Sequence, residues 1–290
     1  MSTDPLATLL ESLDLVPLDA DRFAGCAVER ERPRIFGGEL LAQSLVAAAR
    51  TAVDWGCHSL HVNFLVPGDP ARQVEYRVRR VREGRRFAVR QVTAAQRGRD
   101  ILVAMVSFAA EARAMPGYQH EPMPAVEGPD GLRSEFDHRR EVAPLMREED
   151  RAWLLIPRAV EIRQVAPVPL FDPPAVPAVA HTWLRTVGPM PDDPALHRAV
   201  LAYASDLTLL DTACYPQGVS WIDPRVEQAS LNHAMWFHRP FRADEWLLYA
   251  QTIPTLASGR ALARGAVFTR DGALAASVTQ EGLSRLLQGD

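Results

Sequence analysis

His58-Ser59-Leu60-His61-Val62-Asn63-Phe64-Leu65-Val66-Pro67-Gly68-Asp69 is the stretch whose reading decides the fold. Leu60, Val62, Phe64 and Val66 alternate with less apolar neighbours, the two-residue period of a strand with one buried face. Pro67-Gly68-Asp69 then turns the chain. Further runs continue the pattern: Val74, Tyr76 and Val78; Phe87, Val89 and Val92; Ile101 to Ala110. Glu83-Gly84 and Arg97-Gly98-Arg99-Asp100 separate them. Ahead of this meander, helix formers run from Leu40 to Val53. One long helix followed by an antiparallel meander is an α+β layout, with the sheet wrapped around the helix.

The second half repeats this order. Leu231 to Phe237, Trp246 to Thr252, Arg260 to Thr269 and Leu274 to Leu283 read as strands, separated by Arg239-Pro240, Ala257-Ser258-Gly259 and Arg270-Asp271-Gly272. Ser59-Leu60 lines up with Ser230-Leu231, Arg86 with Arg260 and Asp100 with Asp271. On the helices, Gly38-Glu39 falls opposite Ser205-Asp206. Self-similarity of this length implies two like domains sharing one continuous sheet. The expected limits are residues 1–112 and 158–290. Between them, 113–157 is a proline-rich linker with one short helix near its end. Earlier, Leu6, Leu9, Leu10 and Leu13 predict a short amphipathic helix, and Phe23 to Glu29 a strand.

Composition narrows the functional classes. Lys and Arg total 32 against 36 Asp and Glu, a net charge of −4 with both signs scattered, so no basic stripe for nucleic acid stands out. The nearest candidate, Arg77 to Arg82 with Arg85 and Arg86, reads as the solvated face of a strand or as a contact for a phosphorylated ligand. Three cysteines in no ligand spacing fit a reducing compartment without disulfides. There is no basic start before an apolar core and no spanning apolar run, so a cytoplasmic protein with no membrane association is expected. Histidines 58, 61, 233 and 238 alternate with apolar residues and read as structural rather than catalytic. No metal site and no cofactor are expected.

Asp206 stands out chemically. It is expected near the start of an apolar helical run, Leu201 to Ala213, where the positive end of the helix would favour it. The alternatives are chemistry, a cap or a solvated acid. Gly37 and Gly38 ahead of their helix would let a carbonyl oxygen or an anion approach its first N–H groups, or would serve close packing. No Gly-x-Ser-x-Gly elbow and no Cys–His spacing appears, so a covalent route has little support.

Five ordered segments carry a resemblance to a known family. They are Arg34-Ile35-Phe36-Gly37-Gly38, the stretch from His58 to Asp69, Tyr203-Ala204-Ser205-Asp206, His233 to Phe241, and Gln280-Glu281-Gly282. Together they resemble the acyl-CoA thioesterase II family, and the likeness spans nearly the whole chain apart from the linker. The resemblance implies a double hotdog fold and hydrolysis of acyl-CoA to free acid and CoA. It also implies a catalytic trio of Asp206, Ser230 and Gln280 and assembly as a homo-oligomer, a dimer or tetramer. Gly37, Gly38, Glu39, His58 and Arg260 are the expected substrate contacts.

Departures from the family pattern are Ser230 where Thr is frequent, Glu39 where Gln is common, Asn232 for Asp and Val66 for Arg. Glu39 reads either as a group approaching the site, as a second acid or altered substrate contact, or as a solvent-facing acid. Two other functions compete. Asp192-Asp193-Pro194-Ala195-Leu196-His197 resembles the Asp and His placement of hotdog enoyl-CoA hydratases, although Asp193 reads as a helix cap. A non-catalytic acyl-CoA-binding protein would keep the fold without turnover.

Overall fold

A computed structural model of the protein describes residues 4–28, 33–110, 115–146, 148, 151 and 154–287. The expected limits at residues 1, 112, 113 and 290, and the strand end at Glu29, lie outside the described residues.

The first half forms helix α1 (Pro5–Leu13), strands β1 (Val16–Pro17) and β2 (Arg22–Gly25), helix α2 (Gly37–Ala49), and strands β3 (Gly56–Phe64), β4 (Val74–Glu83), β5 (Phe87–Gln96) and β6 (Arg99–Ala109). The linker carries α3 (Glu135–Val142). The second half adds β7 (Val160–Gln164), β8 (Val179–Thr186), helix α4 (Pro194–Ser205), and β9 (Val226–Phe237), β10 (Leu247–Ala257), β11 (Arg260–Thr269) and β12 (Leu274–Leu286).

All strands join one antiparallel sheet in the order β1-β2-β4-β5-β6-β3-β9-β12-β11-β10-β8-β7. The order is a palindrome of the two halves, which meet where β3 pairs with β9, Leu60 opposite Met235 and Val62 opposite His233. This is the double hotdog arrangement. Apolar residues on one face of the strands (Val62, Leu102, Val106, Tyr249, Val278) bury against α2 and α4 in a single core. On the opposite face, Trp183, Trp246, Leu248 and Phe268 are covered by linker residues Met123, Val126 and Leu132. The Trp183 indole N–H donates to the Glu127 carbonyl at 2.8 Å.

The helices correct the sequence reading. The helix begins at Pro194, after the Asp193 cap, as expected, but it does not carry on through the apolar run from Leu201 to Ala213: it ends at Ser205, so Asp206 stands at its end rather than near its start, and a 3-10 segment occupies Leu210–Gln217. The connection from α2 to β3 spans only 50–55, whereas that from α4 to β9 spans 206–225. Aligning the helices by their distance from the following strand therefore matches the start of α2 with the end of α4. The two ends nevertheless meet, because the helices pack antiparallel. A side chain on Gly38 would collide with the Tyr203 carbonyl, and one on Gly37 would lie 2.6 Å from Asp206 Oδ2.

Candidate active site

Asp206 is the C-cap of α4, one residue beyond the last helical turn. A carboxylate there opposes the negative end of its own helix. It is favoured instead by the start of α2, where the Gly38 N–H donates to it. The dipole argument thus applies, through the helix of the other repeat. The paired glycines are what let the acid this close.

Two side chains from the second sheet half complete the cluster. Gln280 Nε2 (β12) lies 2.6 Å from Asp206 Oδ1, and the Ser230 hydroxyl (β9) donates to the same oxygen at 3.2 Å. Gln280 Nε2 is also 2.7 Å from Ser230 Oγ. A β-bulge explains how Ser230 reaches this place. Asn232 pairs with Glu281 and Ser230 with Gly282, leaving Leu231 as an extra residue on β9. Ser230 and His233, three apart, would face opposite ways in a regular strand; the bulge brings them to the same side.

His233 stands opposite Gln280 across the β9–β12 ladder and is fully buried. Its Nε2 is 2.9 Å from Ser205 Oγ, and its Nδ1 is 3.8 Å from Asp206 Oδ1.

Burial dominates the electrostatics. The Asp206 side chain is 4% exposed, and loss of water pushes its pKa up to about 6. The bonds from Gln280, Ser230 and Gly38, and the charge of Arg34, pull the other way. Burial drives His233 down to about 3, so its ring is neutral. The result is a carboxylate that is ionised at neutral pH yet a far better base than an exposed one.

Two matches with family models cover this architecture. Residues 165–283 match the model described as acyl-CoA thioesterase, and residues 29–109 match the acyl-CoA thioesterase N-terminal domain. Acyl-coenzyme A thioesterase 8 of Homo sapiens is 36% identical over 285 residues, covering 94% of this chain and 88% of the relative. The chain belongs to the acyl-CoA thioesterase II family. A solved structure of an acyl-CoA thioesterase II, TesB2 from Mycobacterium marinum, superposes with a TM-score of 0.77 at 37% identity, over 97% of this chain and 100% of that one. A hot dog fold protein from Alicyclobacillus acidocaldarius shares the fold at 20% identity, with a TM-score of 0.77, over 97% of this chain and 98% of that one.

Among the other residues expected at the site of this thioesterase II chain, Gly37 and Gly38 border Asp206. Glu39 is not the solvent-facing acid that one reading expected. It is 2% exposed, and its Oε1 accepts the Val28 N–H at 2.6 Å within the first repeat. His58 lies six residues before Phe64, the β3 residue nearest Gly37, which is roughly 20 Å along a strand. Its ring meets Phe87 edge-on with centroids 6.0 Å apart. Arg260 pairs with Glu281 at 3.0 Å, and Glu281, next to Gln280 on β12, points to the sheet's other face. The arginine run of β4 is solvated and partly neutralised, with Arg77 against Asp100 and Arg80 Nε 2.9 Å from Asp21.

Asp193 caps α4, accepting the Ala195 N–H at 2.8 Å, and His197 Nδ1 accepts the Ala243 N–H at 3.0 Å. That Asp–His pair sits at the end of α4 away from Asp206. Sequence reasoning did not place His233 beside Asp206, and it missed Arg34, whose Nη2 donates to the Gln228 carbonyl at 2.8 Å. What places His233 is its register opposite Gln280, which the sheet shows and the sequence does not. Among the described residues, no three His, Cys, Asp or Glu side chains gather as metal ligands.

Proposed function

We propose that the chain hydrolyses acyl-CoA to free acid and CoA by direct attack of a water that Asp206 activates. Ser230 and Gln280 orient the water, and no acyl-enzyme forms. The observation that carries this reading is convergence: an acid, a hydroxyl and a carboxamide from three elements meet within 3.2 Å at one buried point. Asp206 takes a proton as the water oxygen bonds to the thioester carbon. The positive start of α2, at Gly37, favours negative charge on the carbonyl oxygen. When the C–S bond breaks, the proton passes to the leaving thiolate. Gly37 and Gly38 act here by leaving room for the substrate's carbonyl; Glu39, His58 and Arg260 have no part in the reaction at Asp206.

Membership of the family supports thioester hydrolysis over hydration of an enoyl-CoA, and the capping role of Asp193 removes the feature that suggested a hydratase. The reading includes assembly as a homo-oligomer, a cytoplasmic location and action without a metal or cofactor. Among the described residues no helix is long and apolar enough to cross a membrane. Free thiol release from saturated acyl-CoAs of graded chain length tests the activity. Asp206→Asn should lower kcat by about two to four orders of magnitude with KM little changed; undiminished turnover would exclude Asp206 as the base.

A further inference from the structure

The hydrogen bonds around His233 fix which of its nitrogens carries the proton. Ser205 has one hydroxyl hydrogen and a choice of neighbours: the Ala202 carbonyl at 2.8 Å, His233 Nε2 at 2.9 Å and Met235 Sδ at 3.4 Å. Ala202 is fully buried near the end of α4, and the Asp206 N–H turns to the Ala204 carbonyl rather than back to Ala202. An unmatched carbonyl at a buried helix end is costly, so the hydroxyl hydrogen belongs to Ala202. His233 must then donate from Nε2, which leaves Nδ1 as a lone pair. That nitrogen is buried, has no hydrogen-bond partner among the described residues, and faces Asp206 Oδ1 at 3.8 Å.

A lone pair opposite a carboxylate repels it, whereas opposite a carboxylic acid it accepts a hydrogen bond. We propose that His233 is a positioning residue that makes Asp206 a stronger base, its neutral Nδ1 accepting the hydrogen that Asp206 carries once the attacking water has given up a proton. This rests on Asp206 being the general base. Reaching hydrogen-bond distance needs a closure of roughly 1 Å, within the range of a carboxyl rotation. The imidazole stays neutral throughout; the proton remains on Asp206 until the departing thiolate takes it.

The other groups facing this pair do not perform that task. Arg34, on the loop before α2, acts on Asp206 by charge and lowers its basicity, as do the Gly38 N–H on α2, Ser230 on β9 and Gln280 on β12. Tyr249 on β10 donates to the Ser205 carbonyl at 3.1 Å. Asp211, in the segment after α4, is the other acid felt at Asp206. Val62 on β3 is apolar. His233 is thus the acceptor in this group that favours the protonated acid.

Two substitutions separate the halves of the ring. A glutamine amide reaches the place of Nε2 and an asparagine amide that of Nδ1. In His233→Gln the donor to Ser205 is kept and the acceptor facing Asp206 is lost. The acid limb of kcat/KM should move about one pH unit lower and kcat should fall by about three- to tenfold. His233→Asn, which keeps an acceptor there, should restore the limb to within a few tenths of a unit. Nitrogen NMR of histidine-labelled wild-type protein should show His233 as the Nε2–H tautomer, a readout that requires no variant. An unmoved limb in His233→Gln reduces the residue to packing, and a limb that moves upward makes it a cationic partner; either overturns the proposal, as does an Nδ1–H tautomer. Full activity of Asp206→Asn would remove the base itself, a failure distinct from these.

Discussion

The two repeats close their central helices with opposite charges. At the end of α2, Thr51 turns its hydroxyl to the Ala48 carbonyl, and the buried Arg90 reaches in from β5. Arg90 donates to Thr51 Oγ1 and to the Thr51 carbonyl, both at 2.8 Å, and to the Arg82 carbonyl at 3.1 Å, and it pairs with Glu83 at 2.8 Å. A cation at a helix C-terminus with its donors satisfied is what stability asks for. At the end of α4, Ser205 makes the same local bond to Ala202. The next residue there is an acid, Asp206, placed against its own helix and stripped of water. One repeat uses the position to hold itself together; the other keeps a charge there at a cost, as the general base proposed for Asp206 requires.

Substitutions at the two ends should therefore have opposite signatures. The largest effect is expected from Asp206→Asn, which should remove most turnover. Its melting temperature should nevertheless rise at pH 7.5. The folded pKa of about 6 lies above the usual carboxylate value, so the native state binds the proton more tightly than the unfolded chain. The stability this acid gives is full below about pH 4 and declines through pH 6; removing the charge should gain about 1–3 kcal/mol at pH 7.5 and nothing near pH 4. Calorimetry at both pH values checks the sign, and the same titration should appear as a rise of kcat/KM through about pH 6 in the wild type.

Arg90→Met should do the reverse, costing about 3–5 kcal/mol by denaturant unfolding because carbonyls and Glu83 lose their partner. Turnover per folded molecule should change less than threefold. A large loss of kcat there would break the contrast between the repeats. Gly38→Ala, which drives a methyl against the Tyr203 carbonyl, should cost about 1–3 kcal/mol and lower kcat, since it parts the two helix ends that form the site.

The smallest effect on turnover sharpens the comparison within the second repeat. Asp211, five residues after Asp206, is pushed by burial to about 8 and lines a cavity of about 340 Å³ with Glu135, Arg139, Cys214 and Trp221. By the same sign argument Asp211→Asn should stabilise at pH 7.5, by at least as much as Asp206→Asn, and not near pH 4. With no hydrogen bond to Ser230 or Gln280, it should leave the pH profile of turnover near its wild-type position.

The repeat and the meeting of Asp206, Ser230 and Gln280 were legible because strands declare themselves by alternation, and because Asp206 and Gln280 sit in segments resembling those of a known family, with Ser230 three residues ahead of another. The helix boundary was not legible. Leu207, Leu209 and Leu210 continue the apolar pattern of α4 past its end, and their burial, not helix formation, is what that pattern recorded. The burial of Glu39 was not legible because an acid in a helix's first turn suggests solvent or chemistry, whereas this one accepts a backbone N–H from eleven residues upstream. The partner of Arg260, Glu281, was not legible because a match between repeats fixes a strand and not the face toward which a side chain turns. His233 needed the sheet register before its second nitrogen had a neighbour to act on.

The extra residue on β9 has a consequence of its own. Whether Ser230 meets Asp206 depends on counting rather than on chemistry: one residue removed between Ser230 and His233 would turn the hydroxyl to the far side of the sheet while every reactive group stayed in the chain. Lineages that carry an intact Asp, Ser and Gln but lack that insertion should fold and hydrolyse nothing, so an inventory of motifs alone would misjudge them.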